Sequence, residues 1–204
     1  MNVDPIDYLC QTDIRLGQVI RSIGKYTMKS RNDPFQSLIE SIIYQQLAGR
    51  SAYVIYQRFL CYYNKNSPAP QQILLTPDHI LKCKVGLSSK KIEYIKDLSA
   101  RVVEGRLNLA SISELTDQEI VDQLIQVKGI GRWTAEMFLI FCLSRQDILP
   151  VSDLGVRRAI QKLYALSELP GPTSMLSIAQ PWKPFRSIAT WYLWKSLDKS
   201  NLIK

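Results

Sequence analysis

The sequence contains few of the residues that build metal centres and disulfide frameworks. Its four cysteines are widely spaced and form no C-x-x-C pair, and His79 is the only histidine. Zinc and iron–sulfur sites usually need clustered ligands, and a chain of 204 residues is large enough to fold without disulfides. We therefore expect no catalytic metal, a surface position for His79, and reduced, mostly buried thiols at Cys10, Cys61, Cys83 and Cys142.

Long hydrophobic runs are also missing. The longest, residues 137–143, is far shorter than the roughly 20 residues that cross a bilayer. The N-terminal segment MNVDPIDYLC is polar and lacks the apolar core of a signal peptide. We expect no membrane association and an intracellular monomer, in the cytoplasm of a prokaryote or the nucleus of a eukaryote.

Positive charge is in excess. Lys and Arg total 26 against 18 Asp and Glu, which gives a net charge of +8. Such a balance favours a polyanionic partner, nucleic acid first and an anionic membrane second, although many basic proteins bind neither.

Helical periodicity dominates, and no segment alternates convincingly between apolar and polar residues. The side chains of Phe35, Leu38, Ile42 and Leu47 fall on one helical face after the start signal Asp33–Pro34. Thr116 and Glu119 form a capping-box pattern. The predicted helices cover about residues 34–47, 52–60, 89–105, 117–127, 132–143, 154–163 and 184–197, and residues 64–72 and 170–174 are predicted to be a loop and a turn. The sequence therefore predicts an all-α fold.

Residues 127–131 join two of these helices by a very short Gly-x-Gly connection, which we call the hairpin. Gly129 and Gly131 permit positive φ and leave no side chain above the backbone. Several N–H groups then point outward at the start of the next helix and form an anion site. The predicted phosphate-binding residues are Val127, Lys128, Gly129, Gly131 and Arg132. The alternative is a tight connection in which the glycines serve steric needs alone.

Four ordered segments from about residue 30 onward resemble the helix–hairpin–helix (HhH-GPD) DNA glycosylase superfamily, most closely its alkylpurine branch, the 3-methyladenine DNA glycosylase II type. The resemblance implies two helical lobes with a DNA-binding cleft between them: residues 30–142, with the motif at about 116–143, and residues 1–29 plus 143–204. It implies double-stranded DNA with alkylated bases as the partner, and a hairpin that holds a phosphate, with a monovalent cation as a further expected ligand. The segments are SIIYQQLAGRSA (41–52), GLSSKKIEYIKDLSARVVEGRL (86–107), VKGIGRWTA with LPVSDLGVRRAI (127–160), and WKPFRSIATWYLWKS (182–196).

Asp153 lies where the family has its catalytic aspartate. Breaking an N-glycosidic bond passes through an oxocarbenium-like sugar, which a nearby carboxylate stabilises while a base assists the attacking water. The alternative role is N-cap of the helix that begins at Leu154, and both roles are compatible.

Trp133 stands where bifunctional members of the family carry a lysine that attacks the sugar as a Schiff base. The resemblance therefore implies a monofunctional enzyme that leaves an abasic site. The lack of clustered cysteines also separates the chain from endonuclease III relatives.

A base flipped out of the duplex needs a stacking surface, and the gap needs a wedge. Trp133 and Trp194 match aromatic pocket positions of the alkylpurine branch, although core packing suits indoles equally well. Tyr44 is a further candidate for the pocket, and Met137 replaces an aromatic residue found in some relatives. Gln46 and Leu47 match the wedge segment; the alternative is that Leu47 completes the apolar stripe.

Seven further basic residues are candidates for phosphate contacts, although a solvated surface explains each of them as well. They are Lys90, Lys91, Arg157, Arg158, Lys183, Arg186 and Lys195.

The leading hypothesis is an enzyme that removes alkylated purines such as 3-methyladenine or 7-methylguanine. Two other hypotheses compete with it. One is a glycosylase for a mismatch or an oxidised base, and the other is a non-catalytic DNA-binding module.

Overall fold

The computed structural model describes residues 3–31, 33–64 and 68–201. Every regular element in these ranges is helical, which confirms the predicted all-α class. In chain order the α-helices are α1 (Pro5–Thr12), α2 (Ile14–Ile23), α3 (Pro34–Tyr44), α4 (Gly49–Tyr62), α5 (Pro70–Leu75), α6 (Asp78–Ile80), α7 (Ser89–Val103), α8 (Asp117–Leu124), α9 (Arg132–Phe141), α10 (Leu154–Tyr164), α11 (Pro172–Ile178) and α12 (Arg186–Asn201). A π-helical turn, Leu81–Val85, follows α6 directly.

The chain divides into two compact units. One comprises Met1–Ser30 with Leu139–Lys204, and in it α2, α10 and α12 pack against one another. Its core contains the fully buried Trp182 and Tyr192 together with Leu9, Leu16 and Ile160. Burial of these side chains stabilises the unit, since each large apolar side chain contributes roughly 1.5–3 kcal/mol.

The other unit is Arg31–Phe138. Here α3 packs on α4 and α7, and α5 packs on α7. The apolar face predicted from Phe35, Leu38, Ile39, Ile42 and Ile43 is buried. The unit also contains the hairpin, so α7 and the hairpin belong to the same compact body.

Several predicted helix starts are confirmed by their hydrogen bonds. Asp33 caps α3 by accepting the N–H of Gln36, and Ser88 caps α7 by accepting the N–H of Lys91. Thr116 and Glu119 form the capping box of α8 with both reciprocal bonds present. Polar side chains placed just before the apolar periodicity were therefore reliable signals.

Other predicted boundaries were wrong. Helix α3 ends at Tyr44, so Leu47 lies beyond it and does not complete the apolar stripe. Helix α8 ends at Leu124, because the N–H of Val127 bonds to Leu124 in a tighter turn. Helices α5 and α11 begin inside segments predicted as a loop and a turn, since proline is compatible with a first helical turn. Residues 65–67 of that loop lie outside the described residues.

The cysteines are less buried than expected. All four are free thiols, but Cys61 and Cys83 are exposed, Cys10 is half-buried and only Cys142 is buried. His79 is exposed, as predicted. Among the described residues, no helix is long and apolar enough to cross a membrane.

Candidate functional site

Asp153 is buried, 9% exposed, at the start of α10. Its Oδ1 accepts the N–H of Val156 at 2.7 Å, which confirms the N-cap role. The same oxygen accepts the indole Nε1–H of Trp194 at 3.0 Å. A backbone donor and a side-chain donor therefore fix the orientation of this carboxylate. The catalytic role of Asp153 stays a prediction.

Trp194 is held in place from two sides. Phe141, the last residue of α9, stacks on it with ring centroids 5.7 Å apart and planes 17° from parallel. Gly155 lies beside its edge: a Cβ there would stand 3.3 Å from Trp194 Cδ1 and 3.1 Å from Asp153 Oδ1. The glycine leaves the space in which indole and carboxylate meet. The contact with Asp153 adds a positioning function to the predicted pocket role of Trp194.

The hairpin uses its two glycines differently. Gly129 has φ +79°, in the left-handed region, as predicted. Gly131 would also permit positive φ, but it does not adopt it, since its φ lies outside that region. Its carbonyl accepts the N–H of Ala135, so α9 begins directly after it. The first-turn N–H groups of a helix have no acceptor inside the helix, which suits an anion at this end.

Helix α7 anchors the hairpin. Asp97 Oδ2 accepts the backbone N–H of Lys128 at 2.9 Å and the Nε–H of Arg101 at 2.9 Å. Partial burial raises the pKa of Asp97, but the bonds from Lys128 and Arg101 outweigh it and hold the pKa below its usual value. The Tyr94 ring lies so close to Gly129 that a Cβ on Gly129 would stand 2.1 Å from it.

The anchoring also engages the predicted phosphate ligands. The Lys128 ammonium pairs with Glu93 at 2.6 Å, and the guanidinium of Arg132 pairs with Glu136 at 3.2 Å. The Val127 side chain is buried, and its carbonyl accepts the N–H of Ile130. A phosphate would have to compete for Lys128, whereas the Gly131 end is open, since nothing lies within 4 Å of the position a Cβ would take.

Residues 45–48 connect α3 to α4, and we call them the wedge turn. Gln46 adopts a left-handed conformation with φ +56°, and both Gln46 and Leu47 are exposed. The Gln45 side-chain amide donates to the carbonyl of Gly129 at 2.8 Å. Lys91 Nζ donates to the carbonyl of Ile43 at 2.6 Å, near the end of α3. The wedge turn and the hairpin are therefore joined through side chains.

The other predicted pocket residues lie on α3 and α9. Trp133, at the start of α9, is 46% exposed, which argues against a purely core role for this indole. Met137 is half-buried one turn later. Tyr44 is half-buried at the end of α3. Its ring packs edge-on against that of Tyr56, with the ring centroids 6.2 Å apart. Their roles in a base pocket stay predictions.

Several basic candidates already have partners. Arg186 forms a two-pronged ion pair with Asp147 at 2.6 and 2.9 Å, and Arg157 donates to the carbonyl of Pro170. Lys195 pairs with Asp198. Lys90, Arg158 and Lys183 are exposed. Within the described ranges, no three His, Cys, Asp or Glu side chains are grouped closely enough to hold a metal ion.

Sequence reasoning did not assign roles to the residues that support these sites: Gln45, Glu93, Tyr94, Asp97, Phe141 and Gly155. Each acts through a tertiary contact between segments distant in sequence or, for Gly155, through the space it leaves. Only Gly155 carried a local signal, as a glycine inside a helical pattern, where it lowers helix propensity and must have another use.

Two helices joined by a short glycine hairpin, here α8 and α9, define the class of helix–hairpin–helix proteins. The family model described as "HhH-GPD superfamily base excision DNA repair protein" matches residues 39–184. The chain belongs to this superfamily.

The chain is similar to proteins named as 3-methyladenine glycosylases, which confirms its resemblance to the alkylpurine branch. It is 32% identical to DNA-3-methyladenine glycosylase 1 of Schizosaccharomyces pombe over 97% of this chain and 88% of that protein. The solved structure of S. pombe 3-methyladenine DNA glycosylase (Mag1) in complex with abasic DNA has a TM-score of 0.84 at 31% identity, covering 95% of this chain and 96% of that one. A DNA-3-methyladenine glycosidase from Bacillus halodurans has a TM-score of 0.85 at 34% identity, covering 96% and 89%.

Proposed function

We propose that this protein is a monofunctional DNA glycosylase that hydrolyses the N-glycosidic bond of alkylated purines in double-stranded DNA and leaves an abasic site. The observation that carries the proposal is the buried Asp153 carboxylate, whose Oδ1 is fixed by Val156 N–H and Trp194 Nε1–H. Membership of a base excision repair superfamily and similarity to named 3-methyladenine glycosylases support it.

Asp153 acts on the sugar of the flipped nucleotide. As the bond from C1′ to the purine nitrogen lengthens, positive charge develops on the sugar, and the carboxylate stabilises it. Water adds to C1′ and transfers a proton to the carboxylate as general base. The bonding electrons leave with the cationic methylated purine, which departs as a neutral base. A strong general acid is therefore unnecessary.

The residue at 133 supports hydrolysis over lyase chemistry. A lyase needs an amine that attacks C1′ and forms a Schiff base. The bifunctional members of the family have lysine at this position, and here it is Trp133. We propose pocket roles for the aromatic side chains of Trp133, Tyr44 and Trp194, because a cationic purine is attracted to electron-rich rings. The pocket role of Met137 stays a prediction from its position in the motif.

The hairpin holds the DNA backbone in this proposal. The open face at Gly131 and the first turn of α9 accept a phosphate, and Arg132 adds charge. A monovalent cation that bridges the hairpin and the phosphate stays a prediction. Such a cation would need hairpin carbonyls as ligands, and two of these carbonyls already accept hydrogen bonds. The Val127 carbonyl accepts Ile130 N–H, and the Gly129 carbonyl accepts Gln45 Nε2–H.

Product analysis tests the proposal. The protein is incubated with duplex DNA carrying 3-methyladenine or 7-methylguanine, and in parallel with mismatched and 8-oxoguanine duplexes, and free bases are separated by chromatography. We expect release of methylated purines and strand breaks only after alkali treatment. Release from the mismatched or oxidised duplex alone would favour the second glycosylase hypothesis, and no release from any duplex would favour a binding module. Covalent trapping with borohydride would overturn the monofunctional assignment.

A further inference from the structure

Gln45 connects the two DNA-binding segments of the Arg31–Phe138 unit. It is the first residue after α3 and begins the wedge turn. Its amide donates to the carbonyl of Gly129, the left-handed residue of the hairpin, at 2.8 Å. The two residues are 84 positions apart in sequence, so this bond joins the wedge turn to the hairpin through tertiary structure.

Helix α7 makes a second connection between the same segments. Near its start, Lys91 donates to the carbonyl of Ile43, which lies in the last turn of α3. Six residues later, or about 9 Å along the helix axis, Asp97 accepts the N–H of Lys128 in the hairpin. A single helix therefore contacts the segment that leads into the wedge turn and the segment that forms the hairpin.

The wedge turn contains a conformation that needs support. Gln46 has φ +56°, a region that costs a non-glycine residue about 1–2 kcal/mol. Such a conformation persists only where the flanking residues are fixed. The bond from Gln45 and the bond from Lys91 to Ile43 hold the entry to this turn.

We propose that Gln45 and Lys91 are positioning residues that fix the wedge turn relative to the hairpin, so that the segment holding the phosphate and the segment entering the duplex act as one rigid body. The proposal rests on the proposed function. A pre-ordered wedge loses less conformational entropy when it enters the base stack, so more of the binding energy offsets the unstacking of the target base.

This arrangement predicts that loss of the hydrogen bond from Gln45 to Gly129 weakens base unstacking without weakening binding to the DNA backbone. Gln45→Leu keeps the size of the side chain but has no donor, and Gln45→Glu keeps its shape but offers only acceptors to the Gly129 carbonyl. Gln118→Leu is the matched control, since it removes a similar amide bond, to Asp122, on the surface of the same unit. The hairpin backbone and Asp97 are unchanged in all three variants.

The test uses the full chain and duplex DNA with 2-aminopurine beside a tetrahydrofuran abasic-site analogue. Fluorescence at saturating protein reports the unstacked fraction, so a change in affinity does not enter the signal. We expect both Gln45 variants to lower the unstacking equilibrium about threefold to tenfold, the range set by one hydrogen bond. Gln118→Leu should match the native protein, and Gln45→Leu should bind undamaged DNA within about twofold of native affinity.

Equal unstacking by the native protein and Gln45→Leu would overturn the proposal. A parallel fall in thermal midpoint and in affinity for undamaged DNA would also overturn it, because it would mean that Gln45 serves only stability. The fluorescence test involves no bond cleavage, so its result does not depend on catalysis. A native protein that unstacks DNA but releases no base would contradict the proposed function. The positioning role of Gln45 would still be tested by the fluorescence of its variants.

Discussion

The indole nitrogen of Trp194 donates a 3.0 Å hydrogen bond to the Oδ1 atom of Asp153. The donor lies on α12 and the acceptor caps α10, so the bond fixes the carboxylate from outside its own helix. The indole is itself held by Phe141, which stacks on its ring. Asp153 is therefore part of an ordered chain of contacts from Phe141 through Trp194 to the carboxylate.

Removal of this donor should slow base release without loosening DNA binding. Trp194→Phe keeps an aromatic ring for Phe141 but has no N–H. A hydrogen bond to a charged group contributes about 1.5–3 kcal/mol, so we expect the single-turnover rate of base release to fall roughly 10- to 100-fold. Trp191→Phe, on the same helix, is the control. An unchanged rate in Trp194→Phe would show that the bond from Trp194 is not needed to orient the carboxylate.

A methyl group at position 155 should disturb the same contact. In Gly155→Ala the new Cβ would stand 3.1 Å from Asp153 Oδ1 and 3.3 Å from Trp194 Cδ1, so the indole or the carboxylate must shift. Alanine favours a helix by about 1 kcal/mol over glycine, which offsets the crowding in the folded state. We expect a lower rate of base release with a thermal midpoint close to that of the native protein. Loss of both together would indicate a general packing defect.

Asp153 and Trp194 were predictable from the sequence as site residues, but the contact between them was not. Both were identified from their motifs, and the N-cap role of Asp153 followed from its place before an apolar helix. Their hydrogen bond was not predictable, because helical periodicity does not specify which side chains meet between α10 and α12. Gly155 gave a local signal, but only the packing shows which contact its missing side chain permits.

The two hairpin glycines should respond differently to alanine. Gly129→Ala introduces a side chain at φ +79° and against the Tyr94 ring, so we expect a loss of roughly 2–4 kcal/mol in unfolding free energy. Gly131→Ala meets nothing within 4 Å, and its stability should stay within about 0.5 kcal/mol. Denaturant unfolding measures both values. Equal destabilisation would contradict the different conformations described for the two positions.

The open space at Gly131 makes a separate prediction about DNA. Although Gly131→Ala should fold normally, its methyl group would occupy the space through which a phosphate approaches the hairpin backbone. We expect weaker binding to undamaged and damaged duplexes alike, with the stability of the protein unchanged. Fluorescence anisotropy at fixed salt measures the affinity. Native affinity in this variant would show that the phosphate binds elsewhere.

The anchor between Asp97 and the hairpin should depend on pH. The pKa of Asp97 is lowered in the folded protein, so its contribution is fully present above the unfolded pKa of about 3.9 and is lost as pH falls through the folded value. We expect Asp97→Asn to be less stable than native by about 1–2 kcal/mol at pH 7. The difference should shrink below about pH 3.9. If the difference in unfolding free energy stays constant on acidification, the charge of Asp97 does not stabilise the hairpin.

In the hairpin, the local turn was predictable from the sequence, but the tertiary contacts were not. Its glycines and the capping box of α8 were visible as local patterns, since turn and cap chemistry depends on neighbours in sequence. The pairing of Lys128 with Glu93 and Asp97 was not, because α7 lies far away in the chain and its acidic residues follow no local pattern. The prediction that Lys128 binds phosphate did not take these partners into account.

The central claim is that the Asp153 carboxylate drives bond cleavage, and Asp153→Asn tests it most directly. Asparagine keeps an oxygen that accepts the N–H groups of Val156 and Trp194, and it caps helices about as well as aspartate. The decisive measurement is the single-turnover rate of free methylpurine release from alkylated duplex DNA at saturating protein. We predict a fall of about a hundredfold or more, with DNA affinity and thermal midpoint near native. Release at the native rate by Asp153→Asn would contradict the account.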